Sequence, residues 1–125
     1  MGTPAIIIID RGIEHNNETR FESIRVNSDG HPEHTLRILE KHYNTSDSLE
    51  ELIALGELSS LDVSADCPEG HNFDNRVKGY SVAYGRDRGE YEPQVVSNDV
   101  EDHIAEHYNY IFRVDANQWF THIQG

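Results

Sequence analysis

The apolar positions near the N-terminus predict two neighbouring strands. Residues 5–9 form an unbroken run of one Ala and four Ile, which is typical of a strand buried on both faces. Residues 20–27 alternate between apolar and polar side chains, the pattern of a strand with one buried face. A polar connection over residues 10–19 separates the two, so we predict an antiparallel hairpin.

A strand-to-helix corner at residues 28–43 follows, and we expect the other elements to pack around it. Asp29-Gly30 supplies residues that tolerate the positive φ of a chain reversal. Pro32 is pre-set for the first turn of a helix, and Glu33 suits the positive end of the helix dipole. The predicted helix over residues 32–43 places its apolar side chains on one face, formed by Leu36, Leu39 and Tyr43.

A second helix is predicted from the apolar spacing of residues 49–55. Ser48 and Glu51 have the spacing of a capping box, and Gly56 stands where a left-handed residue ends a helix. Residues 79–84 then alternate as a strand.

A third helix is predicted to begin at residue 97 or 98, because later apolar residues recur every four positions: Val100, Ile104 and Tyr108. Residues 110–114 and 118–123 alternate around a turn, which indicates a C-terminal hairpin. The order ββααβαββ predicts an α+β fold with a mainly antiparallel sheet of about five strands and three helices on one face. Residues 1–125 are expected to form a single domain.

The chain carries a formal net charge of −13, from 23 acidic and 10 basic residues. Such a surface repels itself at low ionic strength and is stabilised when salt screens it, as in halophilic proteins. An ordinary acidic, soluble protein is the alternative, and the composition leaves both open. Direct binding to nucleic acid is not expected, since no basic stripe is present to contact phosphates.

The sequence favours the cytoplasm as the compartment. No apolar run approaches the ~18 residues that a membrane span requires, and no basic segment precedes the first apolar run as in a signal peptide. Cys67 is the only cysteine, which excludes an internal disulfide and favours a reducing interior. We therefore expect no contact with membranes.

Five segments, in the same order along the chain, resemble one known family. Residues 29–33 are similar to its DGYPE-type turn-helix motif, residues 42–44 to the end of the helix that follows it, and residues 52–61 to a LIALGDLSSL-like segment. Residues 84–90 match a YGRDRGE segment, and residues 106–113 match a late EHYNYLFR-like segment. The chain thus resembles a family of small phage and prophage proteins over about residues 18–120. The resemblance implies a viral or proviral accessory protein that acts inside a host cell.

The chain departs from that family at the corner. Asn27-Ser28 stands where family members have His-Trp, and His31 replaces their Tyr. A role that depends on the His-Trp pair is therefore not expected here. The family has no established activity, so the resemblance assigns no catalytic residue to this chain.

The corner is the first candidate site for a ligand or a partner. His31, Glu33 and His34 converge at the start of the first predicted helix, next to Asp29, and the backbone N–H groups there could hold an anion. Acid–base chemistry would require burial to raise the pKa of one of the carboxyl groups. The alternative is that these residues only form the turn and cap the helix.

The charged segment Arg86-Asp87-Arg88 is the second candidate. Two guanidinium groups between glycines could clamp a phosphate or a carboxylate, with Tyr84 or Tyr80 as a stacking platform. The alternative is ion pairing of the arginines with Asp87 or with the acidic surface around them.

Two further pairs could bind a metal. His103 and His107 lie four residues apart on the predicted third helix and could share a divalent metal with a third ligand, or they could border the core with satisfied hydrogen bonds. Cys67 and His71 bracket a turn, as half a metal site, a thiol–imidazole pair or an inert loop thiol. No closed metal motif is present, so no cofactor is predicted.

Three functions follow from these residues. The leading hypothesis is non-enzymatic binding of a host or viral macromolecule through the acidic surface. The alternative is binding of a nucleotide or another small anion at the Arg86-Asp87-Arg88 segment. A metal-dependent enzyme built on the histidines is third, because neither a P-loop nor a Ser/His/Asp order supports an enzyme. The C-terminal hairpin could also pair two copies of the chain as a homo-oligomer.

Overall fold

The structure, a computed structural model, describes residues 2–12 and 19–124. Seven strands in this part of the chain form one sheet. From β1 to β7 they are Ala5–Asp10, Phe21–Val26, Leu58–Ser60, Val82–Ala83, Val95–Ser97, Tyr108–Arg113 and Gln118–Ile123. The predicted polar connection includes residues 13–18, which lie outside the described residues.

Five helical segments occur among the described residues that connect these strands. The helices α1, α2 and α3 are Arg37–His42, Ser46–Ile53 and Tyr84–Arg88, with a π-helical turn at Pro32–Leu36 and a 3-10 turn at Val100–Asp102. The π-helical turn runs directly into α1, so the helix predicted over residues 32–43 is confirmed in position. The second helix is also confirmed, but its N-cap is Thr45, which forms a capping box with Ser48.

The sheet is mixed, with the order β4-β3-β2-β1-β6-β7 and β5 on the free part of β2. The predicted β1–β2 and β6–β7 hairpins are confirmed, residue against residue. However, β6 runs parallel to β1, and β3 runs parallel to β2. The α+β class is therefore confirmed, whereas the prediction of about five strands is wrong. Parallel neighbours need long connections, and α1 and α2 provide the one from β2 to β3.

Residues 5–9 are buried, as predicted, because each face of the sheet is covered at its centre, and Asp10 extends this buried strand by one residue. The odd-numbered positions of β1 join the main core with α1 and α2. Ile6 and Ile8 join Phe21 in a smaller core on the second face. Val100 and Ile104 pack against this smaller core, so the segment before β6 closes the second face.

The predicted third helix is wrong. Only Val100–Asp102 is helical, as a 3-10 turn, and Tyr108 is the first residue of β6. Tyr108 pairs with Ala5 on one side and with Ile123 on the other. The apolar residues of this segment do not form one helical stripe. Val100 and Ile104 pack against the smaller core on the second face of the sheet, whereas Tyr108 is itself part of a strand.

The strand predicted over residues 79–84 is shorter than expected. Its ladder contains only Val82 and Ala83, and Tyr84 opens α3. The segment Arg86-Asp87-Arg88 is therefore helical, and Gly89 ends the helix at φ +80°. The predicted order ββααβαββ fails at this point, since the short helix α3 follows β4 and only a 3-10 turn follows β5.

The corner before α1 packs against the start of β1. Asp29, and not Gly30, has the left-handed backbone, with φ +55°. Gly30 approaches β1 so closely that a Cβ atom on it would lie 2.6 Å from Thr3 O. Gly30 N donates to that carbonyl at 2.7 Å, and Tyr110 Oη donates to Gly30 O at 2.6 Å. The corner is thus anchored to the segment that leads into β1 and to β6.

Candidate functional site

Arg86 faces the protein and not the solvent. Its Nε donates to Asp87 Oδ1 at 2.9 Å and its Nη2 to Asp87 Oδ2 at 3.0 Å. The same guanidinium group donates to the carbonyl oxygens of Ala65 and Ser81. These contacts occupy four of the roughly five N–H donors of an arginine. Arg86 is therefore a structural residue, and the anion clamp loses one of its two predicted arginines.

Asp87 is the buried partner in this arrangement, with 1% of its side chain exposed. Its Oδ2 also accepts from Ala83 N at 2.8 Å, which ties α3 to the end of β4. Burial alone would raise the pKa of Asp87, but the Arg86 guanidinium and the Ala83 N–H outweigh it and lower that pKa. The carboxylate is ionised at neutral pH and holds α3 in place.

His71 contacts the same region but has no free ring nitrogen. Its Nδ1 accepts from Val77 N at 2.9 Å, so Nε2 carries the proton and donates to Ser81 O at 3.1 Å. The Cys67 thiol lies beside oxygen acceptors, 3.6 Å from His71 O and 3.8 Å from Asp87 Oδ1. The arrangement forms neither a thiol–imidazole pair nor half of a metal site.

Arg88 projects outward, onto Phe73. The guanidinium carbons of Arg88 and Arg76 lie 4.7 and 4.6 Å from the centroid of the Phe73 ring. The Tyr84 ring lies 5.5 Å from that of Phe73. We call these four residues the Phe73 cluster. No sequence motif indicated that Phe73 and Arg76 belong to a site, because only the conformation of their loop places them beside α3.

The three candidate residues at the corner lie on the surface. His31 Nε2 contacts Thr3 Oγ1 at 3.0 Å, and His31 Nδ1 contacts Tyr108 Oη at 3.3 Å. Asp29 and Glu33 are exposed. The Asp29 carbonyl accepts from Thr35 Oγ1 at 2.6 Å, so its contribution to the corner is made by the backbone. Exposure of both carboxylates removes the burial that acid–base chemistry would require.

His103 is buried, with 1% exposure, between two serines. Ser97 Oγ donates to Asp99 O at 3.0 Å and is therefore free to accept from His103 Nε2, 3.1 Å away. His103 Nδ1 then accepts from Ser23 Oγ at 2.6 Å. This chain of hydrogen bonds fastens the segment after β5 onto β2.

A hydroxyl that donates to an imidazole resembles a catalytic pair, but the surroundings of Ser23 do not support catalysis. Ser23 is 2% exposed. Its strand position pairs with Ile8 on one side and with Val95 on the other. Neighbouring backbone N–H groups on such a strand belong to ladders and are not free to stabilise an oxyanion. The hydrogen bonds that join Ser23, His103 and Ser97 therefore have a structural role, and we call them the His103 latch.

The latch predicts a pH dependence of stability. Burial lowers the pKa of His103 below its ordinary value of 6.5, against the smaller opposing effects of Ser97, Asp102 and Asp99. The unfolded chain binds the proton first, so the free energy of unfolding should fall as the pH drops below about 6.5, by up to about 1.4 kcal/mol per pH unit. Urea unfolding between pH 5 and 8 measures this.

The control for that prediction is a pair of variants. His103→Gln should flatten the slope below pH 6.5, whereas the same change at exposed His122 should leave the slope unaltered. Equal slopes for the protein and its His103→Gln variant would show that His103 does not cause the acid sensitivity.

His103 and His107 do not form the predicted metal pair. They share no helix, and His107 is exposed, with Nδ1 2.6 Å from Gln124 O. Among residues 2–12 and 19–124, no group of three His, Cys, Asp or Glu side chains is placed to hold a metal ion. Both ring nitrogens of His103 are occupied by the serines. The enzyme hypothesis built on these histidines therefore has no supporting geometry.

A more distinctive surface lies at residues 90–102, which we call the acidic strip. Five exposed carboxylates lie along it, and it contains neither Lys nor Arg: Glu90, Glu92, Asp99, Glu101 and Asp102. Large apolar side chains are exposed within it, with Tyr91 at 54%, Val95 at 48% and Val96 at 52%. Exposed apolar residues rimmed by charge are typical of protein interaction sites.

The N-terminal end of the acidic strip is held against α2 and α3. The Tyr91 ring packs so closely on Gly56 and Gly85 that a Cβ on either would lie within 3 Å of a ring atom. Glu57 N donates to Glu92 O at 3.1 Å, and Gln94 Nε2 donates to Ile53 O at 2.8 Å. The His103 latch holds the other end, so β5 is fixed at both ends.

β5 itself is an edge strand in the described part of the chain. It pairs only with β2, through the register from Phe21↔Ser97 to Ser23↔Val95. A pocket of about 160 Å³ opens beside it, lined mainly by apolar side chains together with Ser23, Arg25 and Glu57. The sequence carried no sign of this strand, because its three residues lie in a segment without periodic apolar positions.

β7 ends the described sheet on one side, and the two-residue strand β4 ends it on the other. Phe120 is 40% exposed and Ile123 is 55% exposed. Gln124 N donates to His107 O at 2.8 Å, and the alternation of an antiparallel ladder then turns the backbone groups of Trp119, Thr121 and Ile123 away from β6. Self-association through this hairpin stays a prediction.

No model of a known protein family matches the chain, and neither a curated protein nor a solved structure matches it. Among the described residues, no helix has both the length and the apolar character needed to cross a bilayer.

Proposed function

We propose that this chain is a non-enzymatic viral or proviral accessory protein that binds a basic protein through its exposed carboxylates. The distribution of charge carries the proposal. Within residues 2–12 and 19–124, fourteen Asp and Glu are exposed against six Arg and Lys. Exposed charge of one sign speeds association with partners of the opposite sign and suppresses other partners.

Ion pairing increases this imbalance at the surface. Each of the partly buried arginines contacts a carboxylate: Arg11 with Glu22 and Glu50, Arg20 with Asp10, Arg25 with Glu106, and Arg86 with Asp87. These cations are used inside the structure, where they neutralise partly buried acids. The fourteen exposed acids of the described residues face the solvent.

Affinity capture tests the proposal. The tagged chain should retain a small set of basic proteins from a lysate of the cells that encode it, and rising salt should release them because it screens exposed charge. An unrelated acidic protein of equal net charge is the control. Identical captured sets on both proteins, or retention that salt does not weaken, would contradict the proposal.

The second candidate function is binding of a small anion at the Phe73 cluster. The specific observation in its favour is that the guanidinium groups of Arg88 and Arg76 both lie over the Phe73 ring. Arg88 Nε also forms an ion pair with Glu90 at 3.1 Å, and this pair is exposed at the surface. A base or another planar group could stack on this cluster while the guanidinium groups bind phosphate.

Thermal-shift measurements with AMP and with inorganic phosphate distinguish this candidate. It predicts stabilisation by AMP that disappears in an Arg76→Ala, Arg88→Ala double variant and persists in Arg37→Ala, an exposed arginine on α1. An equal response of all three proteins, or none at millimolar AMP, would rule the Phe73 cluster out as a nucleotide site.

A further inference from the structure

We propose that an extended, basic segment of the partner protein adds as a strand to the free edge of β5. The inference rests on the proposed function and names the surface through which it acts. Strand addition uses the unpaired N–H and C=O groups of a sheet edge for affinity, and the alternating side chains of the added strand for specificity.

The edge is accessible. Among the described residues β5 has β2 as its one neighbour, and Val95 and Val96 are about half exposed although they point to opposite faces of the sheet. An added strand would therefore find an apolar contact on each face. Natural edges are usually protected by a charge, a proline or a bulge on the strand, and the residues of β5 are Val, Val and Ser.

The flanks of the edge select a basic partner. Glu90 and Glu92 precede β5, and Asp99, Glu101 and Asp102 follow it. The nearest basic residues along the chain are Arg88 and Arg113, outside the acidic strip. An incoming strand with alternating basic and apolar residues would meet carboxylates at both ends of β5 and valines between them. This charge complementarity distinguishes β5 from β7, whose residues Gln118–Ile123 include no carboxylate.

The edge is also ordered before binding. Tyr91 and Gln94 fix the chain on one side, and the His103 latch fixes it on the other. A strand that is already in its bound conformation loses little conformational entropy when a partner pairs with it. The pocket of about 160 Å³ beside Val95 could accept one aliphatic side chain of the partner.

Defined peptides test the inference on the intact chain. The probe is a capped seven-residue peptide of alternating lysine and valine. The reference is the same peptide methylated at every backbone nitrogen, which has no backbone N–H group to donate to the edge. We expect the probe to bind, the methylated peptide to bind at least tenfold more weakly, and the amide protons of Val95–Ser97 to exchange more slowly in the complex.

Two matched pairs of variants locate the site. Val96→Lys should weaken probe binding at least tenfold, whereas Val63→Lys, at a similarly exposed valine outside the acidic strip, should not change it. Glu101→Gln with Asp102→Asn should weaken binding about fivefold at low salt. Glu33→Gln with Glu40→Gln, at exposed acids near and on α1, should stay within twofold.

The outcomes separate this inference from the proposed function. If Val96→Lys binds the probe as tightly as the parent protein, or if the methylated peptide binds equally well, the β5 site is wrong, while salt-sensitive capture of basic proteins would still support the broader proposal. If the probe does not bind at millimolar concentration and low salt, strand addition to β5 is excluded. Loss of salt-sensitive capture instead overturns the function from which the inference starts.

Discussion

Replacing Asp87 by alanine is expected to lower the free energy of unfolding by about 3 to 5 kcal/mol, because removal of one partner leaves a partly buried charge without its counter-ion. The carboxylate receives two hydrogen bonds from Arg86 and one from Ala83 N. The variant would leave that N–H and two of the four engaged guanidinium N–H groups without an acceptor in the interior. Urea unfolding at pH 7, followed by circular dichroism, measures the change.

Asp74→Ala is the matched control for this substitution. Asp74 is exposed in the loop that precedes β4, and we expect its removal to change stability by less than about 0.5 kcal/mol. Asp87→Asn should lie between the two, since it can still accept from Ala83 N but has no charge. Equal unfolding midpoints for Asp87→Ala and Asp74→Ala would show that the buried pair does not hold α3.

The same pair predicts a loss of stability in acid, separate from the effect of His103. The pKa of Asp87 is lowered in the folded state, so its contribution is fully present above the ordinary carboxyl pKa of about 3.9. That contribution decreases as the pH falls through the lower, folded value. The two groups therefore act in different pH ranges, with His103 responsible for the change just below neutrality.

Replacing Gly30 by alanine is the second large effect that we expect, with a loss of about 3 kcal/mol. A Cβ atom at this position would lie 2.6 Å from Thr3 O and 2.8 Å from both Pro4 O and Ala5 Cβ. Those atoms belong to the backbone and to the first residue of a buried central strand, so they cannot move without disturbing the sheet. Thermal and urea unfolding measure the loss.

Two further variants separate steric conflict from backbone strain. Gly89→Ala places alanine at φ +80° with open space around it, so only the strain of about 1 kcal/mol should appear. Asp29→Gly removes the exposed left-handed aspartate, with an expected change below about 0.5 kcal/mol. If Gly30→Ala lowered the free energy of unfolding no more than Gly89→Ala, the close approach to β1 would not be the reason that position 30 requires glycine.

The corner shows where reasoning from sequence succeeds and where it stops. Asp-Gly correctly indicated a reversal before a helix, because few residues tolerate a positive φ. The sequence did not show which of the two residues adopts the positive φ and which one must lack a side chain. Asp29 adopts the left-handed conformation, and Gly30 is needed for its missing side chain, since the distance to β1 is a tertiary quantity.

The candidate site shows the same limit. The sequence predicted that Arg86 and Arg88 bind an anion together, since both are cations between glycines. In the structure α3 turns Arg86 toward Asp87 and Arg88 toward Phe73. The direction of each side chain depends on a helix that is only five residues long. Such a short helix owes its stability to tertiary contacts and not to its own periodicity.

By itself the sequence determined the elements whose patterns are strong and local: the buried run of β1, the proline-started helix, the two hairpins and the excess of carboxylates. A local pattern can specify periodicity, turns and total charge, because these depend on neighbours in the chain. Only the tertiary structure decided that β6 lies parallel to β1 and that residues 97–108 do not form the predicted helix. It also decided that β5 is an exposed edge strand with acidic residues on both sides. Each of these depends on which distant segment competes best for the same backbone hydrogen bonds and the same apolar surface.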